Sequence, residues 1–590
     1  MKKHSLILIL LVLCGAVPIF AAPARKGVIL RTQPDGTTLE TLLHGDEFGH
    51  WVTDLEGQVL EQDVAGYWRP VTPSQTPVAV SLGASVRRAA ADRMRIGARA
   101  SGTRVGSPRI PVILVGFEKL PFSKTAAEFD ALLNEPGYSA NRATGSVLDY
   151  YRDNSFGRFT PEFEVLGPVT LDREISYYGT NNSRGEDVRP EVALAHAAAL
   201  LDDTVDFSRY DNDGDGAVDF ILFYFAGHDE AQGAPSTSIW SHAWSVSYSS
   251  ELNRDQRTFD GVELMDYFCT AELIGSQGTT MCRIGTTCHE FAHTLGLPDF
   301  YDTNYETGGD AATTYSMDLM ADGCYNNNSA TPPYLSAEEL VEIGWWQGIP
   351  ELPSREGEYS LGTLNAPGAT SYAAYRIPAD LNGEYFILEV RGGQAWDEYL
   401  PEGMLVYHVD QSSRRLPGGT LAYQTWEWNT VNCLASHPCC YIVPPTDPDS
   451  YEEAWNIPAR EMVFPGSRGV VSYTPLFWSG DRYGFELQGI RYEDGQVRFS
   501  LKDRNTMEAT GFNYILDPRE GDYADGDLFE GILVTAAGTR APASEVAWSL
   551  DGEPVSADGI ILGAGRHTVA AEFSTEGGSR KRVELELTVR

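Results

Sequence analysis

Residues 284–302 read Ile-Gly-Thr-Thr-Cys-His-Glu-Phe-Ala-His-Thr-Leu-Gly-Leu-Pro-Asp-Phe-Tyr-Asp. Inside this stretch, His289-Glu290-Phe291-Ala292-His293 form the pattern H-E-x-x-H. On a helix, positions four apart share a face, so the two imidazoles can reach one zinc ion. Glu290 follows the first imidazole and can reach a water at that ion without binding the ion itself. Gly296 tolerates the left-handed turn that ends a helix, and Pro298 keeps the helix from resuming. The turn predicts Asp299 as a third ligand. Three protein ligands and one open position are what a catalytic zinc requires. A bare H-E-x-x-H also arises by chance on ordinary helix surfaces, whereas the extension through Gly296 to Asp299 is far rarer.

Downstream, Tyr315-Ser316-Met317-Asp318-Leu319-Met320-Ala321-Asp322-Gly323 places a methionine before an Asp-Gly turn. A methionine turn beneath a three-ligand zinc is a feature of one zinc-protease group, and Met320 is the better candidate, Met317 the alternative. Beside the zinc motif this reading has weight; alone, a methionine is more often plain core. Residues 336–346 start a capped helix that carries Glu338 and Glu339. Either glutamate is a rival third ligand if Asp299 is not one.

Upstream, Ile110 to Phe117 is a continuous apolar run that predicts a buried strand. A helix follows over 146–154, a strand over 156–165 and an Ala-rich helix over 186–200 with Pro190 near its start. His196 in that helix reads as packing or surface. Asp211, Asp213, Asp215 and Asp219 alternate around Gly214 and Gly216, which resembles the first half of a calcium loop. Leu222 stands where a complete loop needs Glu, so the choice is a bound Ca2+ or a tight Asp-Gly turn. Val218 to Ala226 is a second buried strand, expected to offer, with the segment after it, a sheet edge to an extended substrate. His228 and His242 lie nearby without ligand spacing to the motif, and read as substrate-binding or structural.

The chain has 590 residues, 42% of them hydrophobic, and a net charge of −39. The length predicts several folded domains. The acidity argues against nucleic acid and anionic membranes as partners. Residues 1–21 read as a signal peptide: Lys2 and Lys3, an apolar run from Leu6 to Leu13 too short to span a bilayer, then Ala21 and Ala22. Leu13 before Cys14 disfavours a lipid-attachment site, and no later segment is apolar enough to cross a membrane. Export makes disulfides plausible among the seven cysteines after Cys14, four around the motif and three at Cys433, Cys439 and Cys440. Residues 22–85 predict a small β domain, and 86–107 an Arg-rich linker that is either an activation cleavage site or a plain tether. A catalytic domain over 108–350, a β-rich domain over 351–505 and an immunoglobulin-like β-sandwich over 506–590 complete the expectation. The long segment 411–480 is expected to line the substrate cleft.

Several stretches together resemble the immune inhibitor A family of secreted bacterial zinc metallopeptidases. They are HEFAHTLGLPDFYD, SVLDYYRDNSFGRF (146–159), DNDGDGAVD (211–219), SIWSHAW (238–244), DLMADG (318–323), EYFILEVR and LPEGMLVYHVD. The resemblance covers roughly residues 108–500. It implies an α+β, metzincin-like zinc protease domain with an N-terminal β-rich prodomain and C-terminal β-sandwich domains. It also implies zinc on His289, His293 and Asp299, Glu290 as general base, structural calcium and endopeptidase action on protein or peptide substrates. The N-terminal domain would be a propeptide. With no cysteine after Cys14 in it, a cap on the zinc would come from an Asp or Glu. Some relatives place a tyrosine two residues after the methionine; Asp322 stands there here, so no oxyanion role follows from that position.

Overall fold

The computed structural model describes residues 20–46, 49–63, 65–71, 104–182, 185–304, 311–445 and 458–504, with the C-terminal strands between 515 and 589. Most of the expected signal peptide and nearly all of the Arg-rich linker lie outside the described residues. Among the described residues, no helix is long and apolar enough to cross a membrane. Helices and sheets are both abundant, as α+β requires.

The described chain opens with a two-residue strand, β1 (Phe20–Ala21). Five strands then form an antiparallel meander: β2 (Ile29–Thr32), β3 (Thr38–Asp46), β4 (Gly49–Thr53), β5 (Val59–Gln62) and β6 (Trp68–Pro70). Asp54 and Asp63 close two of its turns by accepting from backbone amides two and four residues on. Leu43, Val52 and Leu60 on its inner face pack against Ala231 and Trp240 of the following domain.

That domain is built on β7 (Arg109–Gly116), helix α1 (Ala126–Asn134), α2 (Val147–Asn154), β8 (Glu162–Thr170), α3 (Pro190–Leu201), β9 (Ala217–Val218), β10 (Ile221–His228), β11 (His242–Ser245), β12 (Thr258–Phe259), β13 (Val262–Leu264), β14 (Asp266–Leu273) and α4 (Ile284–Thr294). The main sheet runs β1-β11-β14-β10-β7-β8. β8, β7, β10 and β14 are parallel, while β11 is antiparallel to β14 and β1 antiparallel to β11. Strands covered on both faces read as unbroken apolar runs, which is why β7 and β10 stood out in the sequence. Two expectations shift. The strand placed at 156–165 begins at Glu162, because Phe156 and Gly157 turn the chain at φ 52° and 73°. The strand proposed to carry the substrate edge, β10, lies between β14 and β7, so it has no free edge.

Helix α5 (Ala337–Ile343), capped by Ser336, leads into the β-rich region. There β15 (Gly357–Gly362), β16 (Ala374–Pro378), β17 (Glu384–Arg391), β18 (Gly403–Asp410), β19 (Cys440–Ile442), β20 (Ser472–Tyr473), β21 (Phe485–Glu493) and β22 (Gln496–Asp503) make two four-stranded sheets, β16-β17-β18-β19 and β15-β22-β21-β20. Side chains of β17 and β18 alternate between two cores. Ile387, Leu405 and Tyr407 join the core of the preceding domain, and Phe386, Leu388 and Val406 pack against Leu487 and Phe499. The boundary expected near residue 350 is therefore a shared core rather than a linker. Strands 546–550, 553–555, 565–574 and 580–589 form an antiparallel sheet near the C-terminus. All seven cysteines after Cys14 are free thiols, so the disulfides that export made plausible are not formed.

Candidate active site

α4 is fixed from its apolar side. Phe291 stacks on Phe268 of β14 with ring centres 4.9 Å apart and meets Tyr151 of α2 edge-on at 4.8 Å. The Tyr151 hydroxyl donates to the Cys288 carbonyl at 2.6 Å. With Phe291 held in the sheet, His289 and His293 face the opposite way, one turn apart. The helix ends at Thr294, and Gly296 takes φ 101°. Its N–H donates to the His293 carbonyl at 2.8 Å, and the Leu297 N–H donates to the Ala292 carbonyl at 3.2 Å. This glycine turn carries the chain back to Asp299, as its sequence implied.

The three ligand atoms converge. His289 Nε2 and His293 Nε2 stand 3.2 Å apart, and each is 3.3 Å from Asp299 Oδ1. Both Nδ1 atoms are committed elsewhere: His289 Nδ1 donates to the Leu319 carbonyl at 2.8 Å and His293 Nδ1 to the Leu297 carbonyl at 2.8 Å. Those bonds fix the tautomer and leave both Nε2 atoms as lone pairs aimed at each other and at a carboxylate oxygen. The Nε2–Nε2 contact is therefore no hydrogen bond, and Asp299 Oδ1 has no hydrogen-bond donor among the described residues. Ligands about 2.0–2.1 Å from a tetrahedral zinc stand roughly 3.3 Å from one another, so this triangle fits the ion.

All three side chains are buried. Burial acts to raise the Asp299 pKa, but the adjoining imidazoles outweigh it and hold the carboxyl below its usual range. Burial lowers the His293 pKa, which favours the neutral, ligating imidazole. Glu290 is also buried, and burial raises its carboxyl pKa well above the ordinary value, opposed by a hydrogen bond from the Ala22 N–H. Its Oε1 accepts that N–H at 2.7 Å, while Oε2 has no hydrogen-bond partner among the described residues.

The turn after α4 forms the floor. Leu319 supplies the carbonyl that holds His289, and Met320 beside it is buried, as is Met317. The Met320 N–H donates to Glu339 Oε1 at 3.2 Å, and its carbonyl accepts from the Phe300 N–H at 2.7 Å, tying the floor to α5 and to the Asp299 turn. A side chain on Gly323 would meet the Asp318 carbonyl at 2.2 Å, so this turn needs glycine there.

The other sequence candidates are elsewhere. Glu339 caps α5 and Glu338 accepts from the Tyr385 hydroxyl at 2.8 Å, so neither joins the histidines. His228 bonds the Gly275 and Gly278 carbonyls, and His242 bonds the Trp240 carbonyl and the Tyr267 hydroxyl; both are structural here. His196 packs on the Tyr178 hydroxyl at 3.0 Å. Asp211, Asp213 and Asp215 cluster, but Asp211 already accepts from the backbone of Gly214, Asp215 and Gly216, the pattern of a self-satisfied turn. Asp219 stays outside that cluster, accepting from the Asn212 N–H at 2.7 Å, and burial raises its pKa to about 7.

Two contributors were not foreseen. Asn429, from the long segment 411–480, grips Asp299 through its side-chain amide. The backbone N–H of Ala22, just after the pairing of Phe20 and Ala21 with β11, reaches Glu290. Nothing local in either stretch signals this, since each acts on residues 130 or more positions away.

Residues 125–339 match the family model described as immune inhibitor A peptidase M6, catalytic domain. The matched region contains α4, the Asp299 turn and the Met320 turn. The protein named immune inhibitor A from Bacillus thuringiensis subsp. alesti is 27% identical over 234 residues, 34% of this chain and 33% of the relative. The pre-pro-metalloprotease PrtV of Vibrio cholerae serotype O1 is 26% identical over 223 residues, 33% of this chain and 23% of the relative. The aligned region thus spans a third or less of either relative. Over residues 125–339, the chain is therefore similar to the catalytic domain of immune inhibitor A peptidases of the M6 family.

Proposed function

We propose that this chain is an exported zinc metalloendopeptidase with a metzincin-like catalytic domain, in which Glu290 is the general base and acid. The observation that carries this reading is the triangle of His289 Nε2, His293 Nε2 and Asp299 Oδ1, with Glu290 on the same helix. His289, His293 and Asp299 would hold the zinc. Bound there, zinc supplies Lewis acidity that polarises a scissile carbonyl and makes a water easier to deprotonate. Glu290 takes the water's proton on its carboxylate and returns it to the departing amine nitrogen. Its burial excludes bulk water and suits a carboxyl that must hold a proton between the two steps. The carbonyls of Leu319 and Leu297 keep the imidazoles in register, and Asn429 does the same for Asp299. Substrates are proteins or peptides, taken in extended form along β11. The acidic turn at Asp211–Asp219 takes no part in this chemistry.

The test is casein hydrolysis by the purified chain, before and after limited trypsin treatment and trypsin inhibition, with and without a zinc chelator. Hydrolysis that the chelator abolishes and zinc restores is expected. Hydrolysis indifferent to the chelator would refute the zinc role.

A further inference from the structure

The turn that carries Asp299 is clasped by the β-rich domain. After the helix Ala422–Glu427, and before β19, the chain runs along residues 299–304. Asn429 takes the backbone N–H and one carboxylate oxygen of Asp299. At the next residue, the Phe300 carbonyl accepts from Asn432 Nδ2 at 2.8 Å. The Thr303 hydroxyl donates to the Asn429 carbonyl at 3.1 Å, and Asn304 Nδ2 donates to the Cys433 carbonyl at 2.6 Å. Residues 429–433 thus follow the metal turn from its carboxylate to its far end.

Asn432 reaches beyond this clasp. It is fully buried. Its Nδ2 also donates to the Cys440 carbonyl at 2.5 Å, and its Oδ1 accepts the Cys440 N–H at 3.0 Å. Both amide hydrogens and the amide oxygen are therefore engaged. Cys440 opens β19, the outer strand of β16-β17-β18-β19, and stands opposite Val409 of β18. In an antiparallel ladder, alternate residues turn their N–H and C=O away from the partner strand. Cys440 does so, and the Asn432 amide answers both groups as a strand neighbour would. The same amide then passes on to Phe300. The Phe300 N–H donates to the Met320 carbonyl at 2.7 Å, so the backbone just after Asp299 is held by its N–H from the Met320 turn and by its C=O from Asn432. Held at both groups, it leaves the Asp299 carboxylate little freedom to swing away from the imidazoles.

We propose that Asn432 is a positioning residue of the metal site: it ties the turn bearing Asp299 to the edge of β19, so that the β-rich domain completes the zinc site. This rests on the zinc reading above. Asn432 touches neither the ion nor a substrate; it acts through the Phe300 carbonyl. Coupling between two sites is reciprocal, so an ion on Asp299 also fastens the strap to the turn. A purely structural asparagine would stabilise the chain equally with and without zinc. A positioning asparagine adds to the stability that zinc itself confers.

The experiment uses the full chain and three variants. Asn432→Ala removes the link. Asn304→Ala removes the clasp's outermost bond and serves if Asn432→Ala does not fold. Asn134→Ala is the control, because Asn134 bonds the N–H and C=O of Phe163 in the same way, between α1 and β8. Each chain is titrated with zinc against a chelator of known affinity, melted with and without zinc, and loaded with Co2+ for its visible absorption. Asn432→Ala should bind zinc about tenfold more weakly, with a smaller zinc-induced rise in thermal midpoint and an altered Co2+ spectrum. Asn304→Ala should move the same way by less. Asn134→Ala should melt earlier, with native zinc affinity, native zinc-induced rise and native Co2+ spectrum. Native zinc affinity in both Asn432→Ala and Asn304→Ala, or an equal loss in Asn134→Ala, would overturn the proposal. Casein hydrolysis after trypsin treatment is read in parallel. A native chain that shows the zinc coupling but leaves casein intact would keep the role of Asn432 and reject the peptidase reading. A native chain that takes up no zinc would overturn both.

Discussion

Asn429 holds Asp299 from two directions: its Oδ1 accepts the Asp299 N–H at 2.6 Å, and its Nδ2 donates to Asp299 Oδ2 at 2.6 Å. The second bond occupies one carboxylate oxygen and leaves Oδ1 facing the two imidazoles. Asn429 sits at φ 52°, a left-handed conformation that asparagine tolerates better than most residues. Asp299 is thus positioned by a residue beyond the end of the matched region.

Replacing Asn429 by alanine should leave the fold intact and weaken zinc binding about 10- to 100-fold, the range seen when an outer-shell partner of a metal ligand is lost. Competition for zinc against a chelator of known affinity measures this. Unchanged affinity would mean that the Gly296 turn alone places Asp299.

Glu290→Gln keeps the shape and the Ala22 contact but cannot take a proton. Zinc content should match the native chain, and casein hydrolysis by the processed protein should fall by about 10²- to 10⁴-fold. Retained hydrolysis would remove Glu290 from the mechanism.

Arg391 is fully buried among Glu389 at 2.8 Å, Asp397 at 3.3 Å and Asp318 at 3.6 Å, and it donates to the Tyr334 carbonyl at 2.8 Å. Arg391→Met leaves buried carboxylates without their cation, which costs on the order of 3–5 kcal/mol. A clear drop in the thermal midpoint is expected. Because Asp318 begins the turn that supplies the Leu319 carbonyl to His289, hydrolysis should fall as well.

Glu338 is buried, and burial first, then Glu342, raise its pKa to about 8, despite the Tyr385 hydroxyl. An ordinary glutamate in the unfolded chain titrates near pH 4.3. Between those values the folded state binds the proton more tightly, so this group's contribution to stability falls as pH rises from about 4 to 8. Glu338→Gln removes that slope. Denaturant midpoints at pH 5 and pH 8 should lie closer together in the variant, with its gain over the native chain largest at pH 8. An unchanged difference between the two pH values would show that Glu338 is ionised in both states.

The helix, its glycine stop and Asp299 were legible because each rests on local rules: four-residue spacing, left-handed tolerance, and proline after the stop. The parallel strands β7 and β10 were legible as apolar runs, but their order in the sheet was not, since a central strand and a covered outer strand look alike in composition. β11 has four residues, too few for a periodicity, so its place beside β14 was not legible. Asn429 is one asparagine in a loop, and only the fold brings it to Asp299.

The pairing of β1 with β11 has a further consequence, for the protein's behaviour in company. β11 closes the sheet on one side, and without β1 its outward amides and carbonyls lack partners on that side. An open strand edge accepts any extended chain, including one from another molecule, and is a common route to aggregation. While residues 20–21 stay on β11, that edge is closed to another copy of the chain. A chain without residues 20–21 on β11 should be the more self-associating form, most so at high concentration.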